Sequence, residues 1–304
     1  MPTPPLIVLN GPTASGKTAL AVQVAQLLGA RGRPAEIVNA DSMLVYRGMD
    51  IGTAKPSRAE RGGIAHHLID ILDVDQTASV ATFQPLARDA IADCRERGVV
   101  PILAGGSALY VHAILDDFEF PGTDAVVRAR LEDDLDRFGA AAMHRRLAEL
   151  SPQAAVDILP GNGRRIVRAL EVIELTGTWR ATLPDWRYAL EEVHQWGIEL
   201  PREVLDERIE ARVERMWAEG LVGEVRALVE RGLRNGRTAS RALGYRQVLA
   251  YLDRELTEAD AKQQTITGTR RFARKQLGWF RRDPRVEWLP ADGAGTAEAI
   301  VATL

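Results

Sequence analysis

The stretch Leu6-Ile7-Val8-Leu9-Asn10-Gly11-Pro12-Thr13-Ala14-Ser15-Gly16-Lys17-Thr18 decides the fold of this 304-residue chain. Its first four residues are apolar, as in a parallel strand that is buried on both faces. The segment that follows matches the pattern G-x-x-x-x-G-K-[ST] of a phosphate-binding loop, which lies between a strand and a helix. In such a loop backbone N–H groups converge on phosphate oxygens, the lysine adds a positive charge, and the hydroxyl of Thr18 can complete a Mg²⁺ shell. The sequence therefore predicts a site for a diphosphate or triphosphate.

Strand and helix patterns alternate outward from this loop. We predict strands at 6–9, 37–38, 99–104, 192–200 and 286–289. We predict helices at 18–28, 84–97, 107–115, 202–219, 221–231, 239–253 and 258–282. Strand signals disappear between 122 and 186, where we expect helices at 126–138, 140–150 and 164–176. The prediction is an α/β fold, a P-loop parallel sheet with flanking helices, with 1–121 and 187–304 as the catalytic core and 122–186 as a mostly helical insertion domain.

Composition narrows the class of protein. Hydrophobic residues make up 46% of the chain and the net charge is −3, which argues against a general polyanion binder. No apolar run approaches the ~20 residues that span a bilayer, and the start of the chain lacks the features of a secretory signal. Cys94 is the only cysteine, and we expect it to be packed inside. The five histidines show no zinc-binding spacing. We expect a cytoplasmic monomer without membrane association.

Positive charge is concentrated near the end of the chain. Residues 261–285 contain eight lysines or arginines against one acid, Asp283. The eight are Lys262, Arg270, Arg271, Arg274, Lys275, Arg281, Arg282 and Arg285. Such a basic stripe is typical of a nucleic-acid footprint or of a solvated helix face, and charge alone does not choose between them.

Acidic residues at strand ends indicate whether a P-loop enzyme can drive hydrolysis by water. A P-loop enzyme that drives water-mediated hydrolysis places an acid at the end of a later strand. The strand predicted at 99–104 ends instead in Gly105-Gly106. The nearest strand-end acid is Asp41, which would face the same crevice as the phosphate loop at the carboxyl edge of the sheet. Hydrolysis is therefore poorly supported.

Several blocks of sequence resemble one known family. The stretch Asp41-Ser42-Met43-Leu44-Val45-Tyr46-Arg47-Gly48-Met49-Asp50-Ile51-Gly52-Thr53-Ala54-Lys55-Pro56 is similar to the signature of the tRNA dimethylallyltransferases, also called tRNA isopentenyltransferases. Further similar blocks follow in the family's order over nearly the whole chain. They are His66–Asp70, Gly105–Tyr110, Arg168–Val172, Arg208–Arg212, Gly244–Gln247 and Thr269–Gln276 with Trp279.

The resemblance implies a reaction and its site. The donor would be dimethylallyl diphosphate, and the acceptor the N6 amine of adenosine 37 in a tRNA anticodon stem-loop. The donor's diphosphate and Mg²⁺ would take the place that ATP has in kinases, on Gly11, Pro12, Thr13, Ala14, Ser15, Gly16, Lys17 and Thr18. Asp41 would be the base, Thr18 the catalytic hydroxyl and metal ligand, and Arg212 the cation that stabilises the leaving diphosphate. From spacing alone, Arg208 and Arg212 would instead fit a surface salt-bridge ladder with Glu210 and Glu214.

The resemblance also transfers a set of RNA-contacting positions. They are Asp41, Ser42, Met43, Leu44, Ser107, Arg128, Arg164, Arg165, Ile166, Val167, Arg168, Arg241, Ala242, Leu243, Gly244, Tyr245 and Arg246. Arginines suit phosphates and base edges, and Tyr245 is a candidate stacking platform. The sequence departs from the family pattern at three points. Ser107 replaces the usual Thr, Gly163-Arg164 replaces Pro-Gln, which could shift RNA preference, and Gly278 replaces a β-branched residue.

Three alternatives stay open from the residues themselves. A prenyltransferase of free adenine nucleotides would share the loop and Asp41 but would not need the basic tail or the cluster at Arg164–Arg168. A P-loop small-molecule kinase is disfavoured by the later strand, which ends without an acid, and by the block that begins at Asp41. An RNA-binding module without catalysis would leave the intact Gly16-Lys17-Thr18 unexplained.

Overall fold

The computed structural model describes residues 3–118, 120–179, 186–291 and 295–304. The chain forms two compact units. The larger unit comprises Met1–Asp117 and Trp186–Leu304, and the smaller unit comprises Phe118–Asp185. Residues 180–185, which belong to the predicted insertion, lie outside the described residues.

The larger unit is built on a six-stranded sheet in which every pairing is parallel. Its strands are β1 (Leu6–Asn10), β2 (Ala35–Asn39), β3 (His66–His67), β4 (Val100–Gly105), β5 (Val193–Glu199) and β6 (Glu287–Pro290). They lie in the order β3-β2-β4-β1-β5-β6. Ile102 of β4 pairs with Ile7 on one side and with Ile37 on the other. The carboxyl ends of β1, β2 and β4 therefore meet at one edge of the sheet.

Helices cover both faces of this sheet. They are α1 (Lys17–Ala30), α2 (Val80–Glu96), α3 (Ala108–Leu115), α7 (Arg202–Ala218), α8 (Leu221–Glu230), α9 (Tyr245–Leu252), α10 (Glu258–Phe280) and α11 (Thr296–Ala302). Along β1, Leu6 and Val8 belong to one buried apolar cluster and Ile7 and Leu9 to another. Burial on both faces explains why this strand is a continuous apolar run. The predicted α/β class with a parallel sheet and flanking helices is confirmed.

Local chemistry explains where elements differ from the predicted boundaries. The helix predicted to begin at 84 begins at Val80, because the Ser79 side chain accepts a hydrogen bond from the Thr82 N–H. The single helix predicted at 239–253 is wrong. A 3₁₀ turn, Ala239–Arg241, precedes α9, and Gly244, with a φ of +88°, separates the two. A positive φ does not continue a right-handed helix.

The smaller unit contains α4 (Ala125–Leu150), α5 (Pro152–Asp157) and α6 (Gly163–Thr176). The two helices predicted at 126–138 and 140–150 form α4, whose backbone is non-helical at Gly139, with a φ of +78°. The short helix α5 was not predicted, and its N-terminus is capped by the Ser151 side chain. Buried apolar residues from all three helices form a core, among them Leu131, Ala154 and Ile166. No helix in the described part of the chain is long and apolar enough to cross a membrane.

Candidate active site

The phosphate loop turns from β1 into α1. Gly16 is the residue before α1 and has a φ of +89°, a left-handed conformation that glycine adopts at little cost. The Lys17 Nζ donates a 3.3 Å hydrogen bond to the Pro12 carbonyl oxygen, so its side chain folds back over the loop. Ser15 is buried, and its Oγ has no hydrogen-bond partner within the described ranges. The loop thus has the form that phosphate binding requires.

A buried glutamine from α10 joins the phosphate loop to the end of β4. The Gln276 Oε1 accepts a 2.9 Å hydrogen bond from the Thr13 N–H, and its Nε2 donates a 2.7 Å bond to the Gly106 carbonyl oxygen. Gln276 is 5% exposed, so these bonds are shielded from water. In the sequence, Gln276 stands out only as the last residue of the block Thr269–Gln276. Because Thr13 and Gln276 are 263 positions apart, sequence spacing gives no sign of this clamp.

Asp41 lies just beyond β2, beside the end of β4. The Asn39 side chain bonds both the N–H and the carbonyl oxygen of Asp41, at 2.8 and 3.0 Å. The Asp41 Oδ1 accepts a 2.9 Å bond from the Met43 N–H. Ser107, which replaces the family's usual Thr, accepts a 3.1 Å bond from the Ser42 N–H through its Oγ. The hydroxyl at this position therefore holds the segment that follows Asp41.

Arg212 approaches the same place from α7. Its Nη1 donates to the Thr13 Oγ1 at 3.4 Å and its Nη2 to the Thr53 carbonyl oxygen at 3.3 Å. The two acids of the alternative salt-bridge ladder are engaged by α10 instead. Arg270 bonds Glu210 at 2.6 Å, and Lys262 bonds Glu214 at 2.8 Å.

Charges in this group perturb one another. Burial of the Lys17 ammonium lowers its pKa to about 8, while the Asp41 carboxylate opposes that shift and Arg212 adds to it. Burial also lowers the pKa of Arg212, against the raising effect of Asp41. Lys17, Arg212 and Asp41 therefore place two positive charges and one negative charge in the same site, an excess of about one positive charge. Such a site favours an anionic ligand.

An open cavity of about 1000 Å³ joins these residues. Lys17, Thr18 and Asp41 line it, as do Arg208 and Arg212 of α7. It also has apolar lining, from Leu44, Ile51, Pro56, Ala104, Ala211 and Met216. The cavity lining thus contains cationic and apolar side chains, together with the acids Asp50, Glu60 and Glu219. Such a mixed lining can accept a ligand that has a phosphate head and a small hydrocarbon tail.

A glutamate of α8 shapes one wall of this cavity. The Glu224 Oε2 accepts hydrogen bonds from the Asp50 and Ile51 N–H groups, at 3.0 and 2.7 Å. Its Oε1 accepts from the Gly52 N–H at 3.2 Å and from the Tyr245 hydroxyl at 2.5 Å. The turn held in this way precedes Thr53, whose carbonyl oxygen binds Arg212. Glu224 was missed, because a single glutamate on an amphipathic helix gives no functional signal.

The predicted RNA positions of the larger unit divide into exposed and buried side chains. Arg241 and Arg246 are exposed, whereas Ala242 is buried and Leu243 is half-buried. Tyr245 is 0% exposed and donates its hydroxyl to Glu224. The prediction that the Tyr245 ring is a stacking platform is therefore wrong, because the ring belongs to the apolar core.

In the smaller unit the predicted RNA positions divide in the same way. Arg164 and Arg165 are exposed on the first turn of α6. Ile166 and Val167 pack into the helical core, so their side chains are not on the surface. Arg128 and Arg168 both form ion pairs with Glu171, which is 0% exposed. These two arginines therefore neutralise a buried carboxylate within the unit.

The basic stripe is only partly available to a ligand. Five of its eight cations form ion pairs: Lys262, Arg270, Arg274, Arg281 and Arg285. Arg271, Lys275 and Arg282 are exposed, and no ion pair joins them to another described residue.

Cys94 is buried at the opposite end of β2 from Asp41, as predicted. The structure brings it together with Glu36 and His67, whose ligand atoms lie within 4.8 Å of one another. Arg97 already bonds both Glu36 oxygens, at 2.8 and 2.6 Å, and lowers the pKa of that carboxyl to about 2. Burial, with Glu36 beside it, raises the pKa of Cys94 to about 12, so the thiol is not a reactive group.

Comparison with known proteins identifies the family. A family model described as IPP transferase matches residues 44–283. A tRNA dimethylallyltransferase from Kineococcus radiotolerans is 60% identical over 296 residues, which cover 96% of this chain and 93% of that protein. The full-length tRNA isopentenylpyrophosphate transferase from Bacillus halodurans superposes with a TM-score of 0.71 at 38% identity, over 98% of this chain and 95% of that one. A eukaryotic dimethylallyltransferase acting on tRNA gives a TM-score of 0.78 at 25% identity, over 99% of this chain and 78% of that one. The chain therefore belongs to the IPP transferase family.

Proposed function

We propose that this chain is a tRNA dimethylallyltransferase. It transfers the dimethylallyl group of dimethylallyl diphosphate to the N6 amine of adenosine 37, next to the anticodon in the tRNA anticodon stem-loop. The observation that carries the proposal is the meeting of Lys17, Thr18, Asp41 and Arg212 around one cavity that also has apolar walls. A kinase site needs no apolar recess beside its phosphates, whereas an allylic donor does.

Bond breaking at the donor is an electrostatic task. The bond between C1 and the diphosphate oxygen breaks, and the diphosphate leaves with the electron pair. The Lys17 ammonium, the Arg212 guanidinium and the N–H groups of the loop stabilise the charge that develops on the leaving oxygens. Around the cavity, hydroxyl oxygens such as that of Thr18 suit Mg²⁺, a hard cation, and Thr18 would hold it. When bound, Mg²⁺ would neutralise further charge on the diphosphate.

Bond making takes place at the acceptor amine. The N6 nitrogen forms a bond to C1 of the dimethylallyl group and gives up one proton. Asp41 accepts that proton, and its hydrogen bond from the Met43 N–H fixes one oxygen while leaving the other for the amine. Bases of an anticodon loop are already unpaired, so placing one adenine beside Asp41 costs little free energy.

The two compact units would divide this work. We assign the phosphate loop, Asp41 and Arg212 to a catalytic core, and the exposed Arg164 and Arg165 of the smaller unit to tRNA binding. Arg241 and Arg246 would add exposed cations from the core. The predicted monomer is part of the same proposal.

The test separates prenyl transfer from kinase chemistry. Binding of an unreactive thiolo analogue of dimethylallyl diphosphate is measured calorimetrically beside binding of ATP, both with Mg²⁺, in the wild-type protein and in Lys17→Ala. We expect the analogue to bind the wild type and to lose at least about tenfold in affinity in the variant, as expected for removal of a charged contact. Binding of ATP to the wild type with no detectable binding of the thiolo analogue would contradict the proposal.

A further inference from the structure

An exposed aromatic ring lies on α10 close to the candidate active site. Phe272 is 43% exposed. The other phenylalanines in the described part of the larger unit are buried. It lies one helical turn before Gln276, whose side chain contacts Thr13 and Gly106. At 1.5 Å per residue, four residues place the two about 6 Å apart along the helix, on nearly the same face.

The neighbours of Phe272 on this face are covered by loops. Gly268, one turn earlier, is covered by Leu243, which would lie 2.9 Å from a β-carbon at that glycine. Gln276, one turn later, is covered by the phosphate loop and the Gly106 backbone. Thr265 on the same face is buried at 2% exposure. Phe272 is therefore exposed between two positions that make contacts, Gly268 with the 241–246 segment and Gln276 with the phosphate loop and the end of β4.

Exposed cations lie near Phe272, on α10 itself and on the 241–246 segment. Arg271 and Lys275 form an adjacent stripe on α10, one turn apart, and both are exposed. Arg241 and Arg246, in the segment that covers Gly268, are exposed as well. No ion pair connects these four cations to any residue in the described ranges. A ring with an open face, bordered by uncompensated cations, is the arrangement that binds single-stranded nucleic acid by stacking and phosphate contacts.

We infer that Phe272 is the surface on which an unpaired nucleobase of the RNA acceptor stacks. The base would be one that neighbours the reacting adenosine, because Phe272 lies one helical turn, about 6 Å along the helix axis, before the residue that clamps the phosphate loop. The inference rests on the proposed function. It assigns base stacking to Phe272, because Tyr245, the residue first predicted to stack, is buried. Phe272 contacts the RNA and not the reacting atoms, so it positions the acceptor.

The experiment tests whether RNA binding requires an aromatic ring at position 272 or only an apolar side chain. Affinity for an anticodon stem-loop RNA is measured for the wild type, Phe272→Leu and Phe272→Trp, with Leu86→Ala as the control. Leu86 is 46% exposed on α2 and is not among the residues that line the cavity. We expect Phe272→Leu to weaken RNA binding by about 5- to 140-fold, the equivalent of one base–aromatic stack, and Phe272→Trp and Leu86→Ala to keep it. Binding of the thiolo donor analogue should change in none of them.

A second measurement reports stacking itself. The stem-loop carries 2-aminopurine next to the acceptor adenosine, and its fluorescence is quenched when the base stacks on an aromatic ring. We expect quenching with the wild type and with Phe272→Trp, and its loss with Phe272→Leu at RNA-saturating protein concentrations. Equal affinity and equal quenching in the wild type and Phe272→Leu would overturn the inference while wild-type prenyl transfer continued. Absence of prenyl transfer by the wild type would instead overturn the proposed function.

Discussion

Raising the pH through the pKa of Lys17 should weaken donor binding in a way that the structure specifies. Burial lowers this pKa from 10.5 to about 8. About nine-tenths of the Lys17 side chains then carry a proton at pH 7 and about one-tenth at pH 9. If only the ammonium form binds the diphosphate, the dissociation constant should rise about tenfold between pH 7 and pH 9. This rise corresponds to a loss of ~1.4 kcal/mol of binding free energy. The donor's diphosphate loses its last proton near pH 6, so its charge stays nearly constant between pH 7 and pH 9.

Calorimetric titration with the thiolo donor analogue tests this expectation at fixed free Mg²⁺. Buffers of different ionisation enthalpy report the protons taken up on binding, which should approach one per donor at pH 9. Lys17→Ala should bind weakly with no such dependence on pH. Asp41→Asn should move the midpoint to lower pH, because the carboxylate raises the pKa of Lys17. A wild-type affinity that stays flat from pH 7 to pH 9, with no proton uptake, would refute the reasoning.

Four further predictions follow from the site. Asp41→Asn should lower kcat by about 10²–10⁴-fold, as for loss of a general base, and recovery on raising Mg²⁺ would show a metal ligand instead. Arg212→Ala should cost ~2–4 kcal/mol of transition-state stabilisation in kcat/KM for the donor, and a selective loss of tRNA binding would contradict its role. Glu224→Gln should lower the free energy of unfolding by ~1–3 kcal/mol in urea titrations, because an amide cannot accept all four hydrogen bonds, and an unchanged midpoint would disprove the clamp. Reversing Arg271 and Lys275 to glutamate should reduce the slope of log RNA affinity against log salt by about 1.4, whereas an unchanged slope would exclude α10 from the footprint.

Much of the fold could be predicted because its strands are apolar on both faces. The run Leu6–Leu9 is continuous for that reason, and β4 likewise gives a strong signal at 100–104. The two-residue strand β3, His66–His67, was not predicted, since it is half-buried, polar and too short for periodicity. It exists because Ile37 and Val38 of β2 offer it a paired register. Sequence patterns do not contain that tertiary information.

Part of the candidate site could also be predicted from the sequence. The phosphate loop and the strand-end position of Asp41 are local features, and the structure places them on one cavity. The prediction for Tyr245 fails because an aromatic residue beside arginines is typical of an RNA reader, whereas its ring packs in the apolar core and its hydroxyl bonds Glu224, 21 positions away. The sequence does not single out Gln276 or Phe272, because the contacts of one and the exposure of the other depend on which loops pack against that face of α10.

Incubation with labelled dimethylallyl diphosphate, with tRNA and AMP offered in parallel, tests the central claim most directly. Fragments from a base-specific nuclease then locate the labelled nucleotide in the RNA, and digestion to nucleosides identifies the modified base. The account predicts label on the N6 of one adenosine beside the anticodon, little label on AMP, and loss of both products in Lys17→Ala. Label on AMP in preference to tRNA would instead contradict the claim that tRNA is the acceptor.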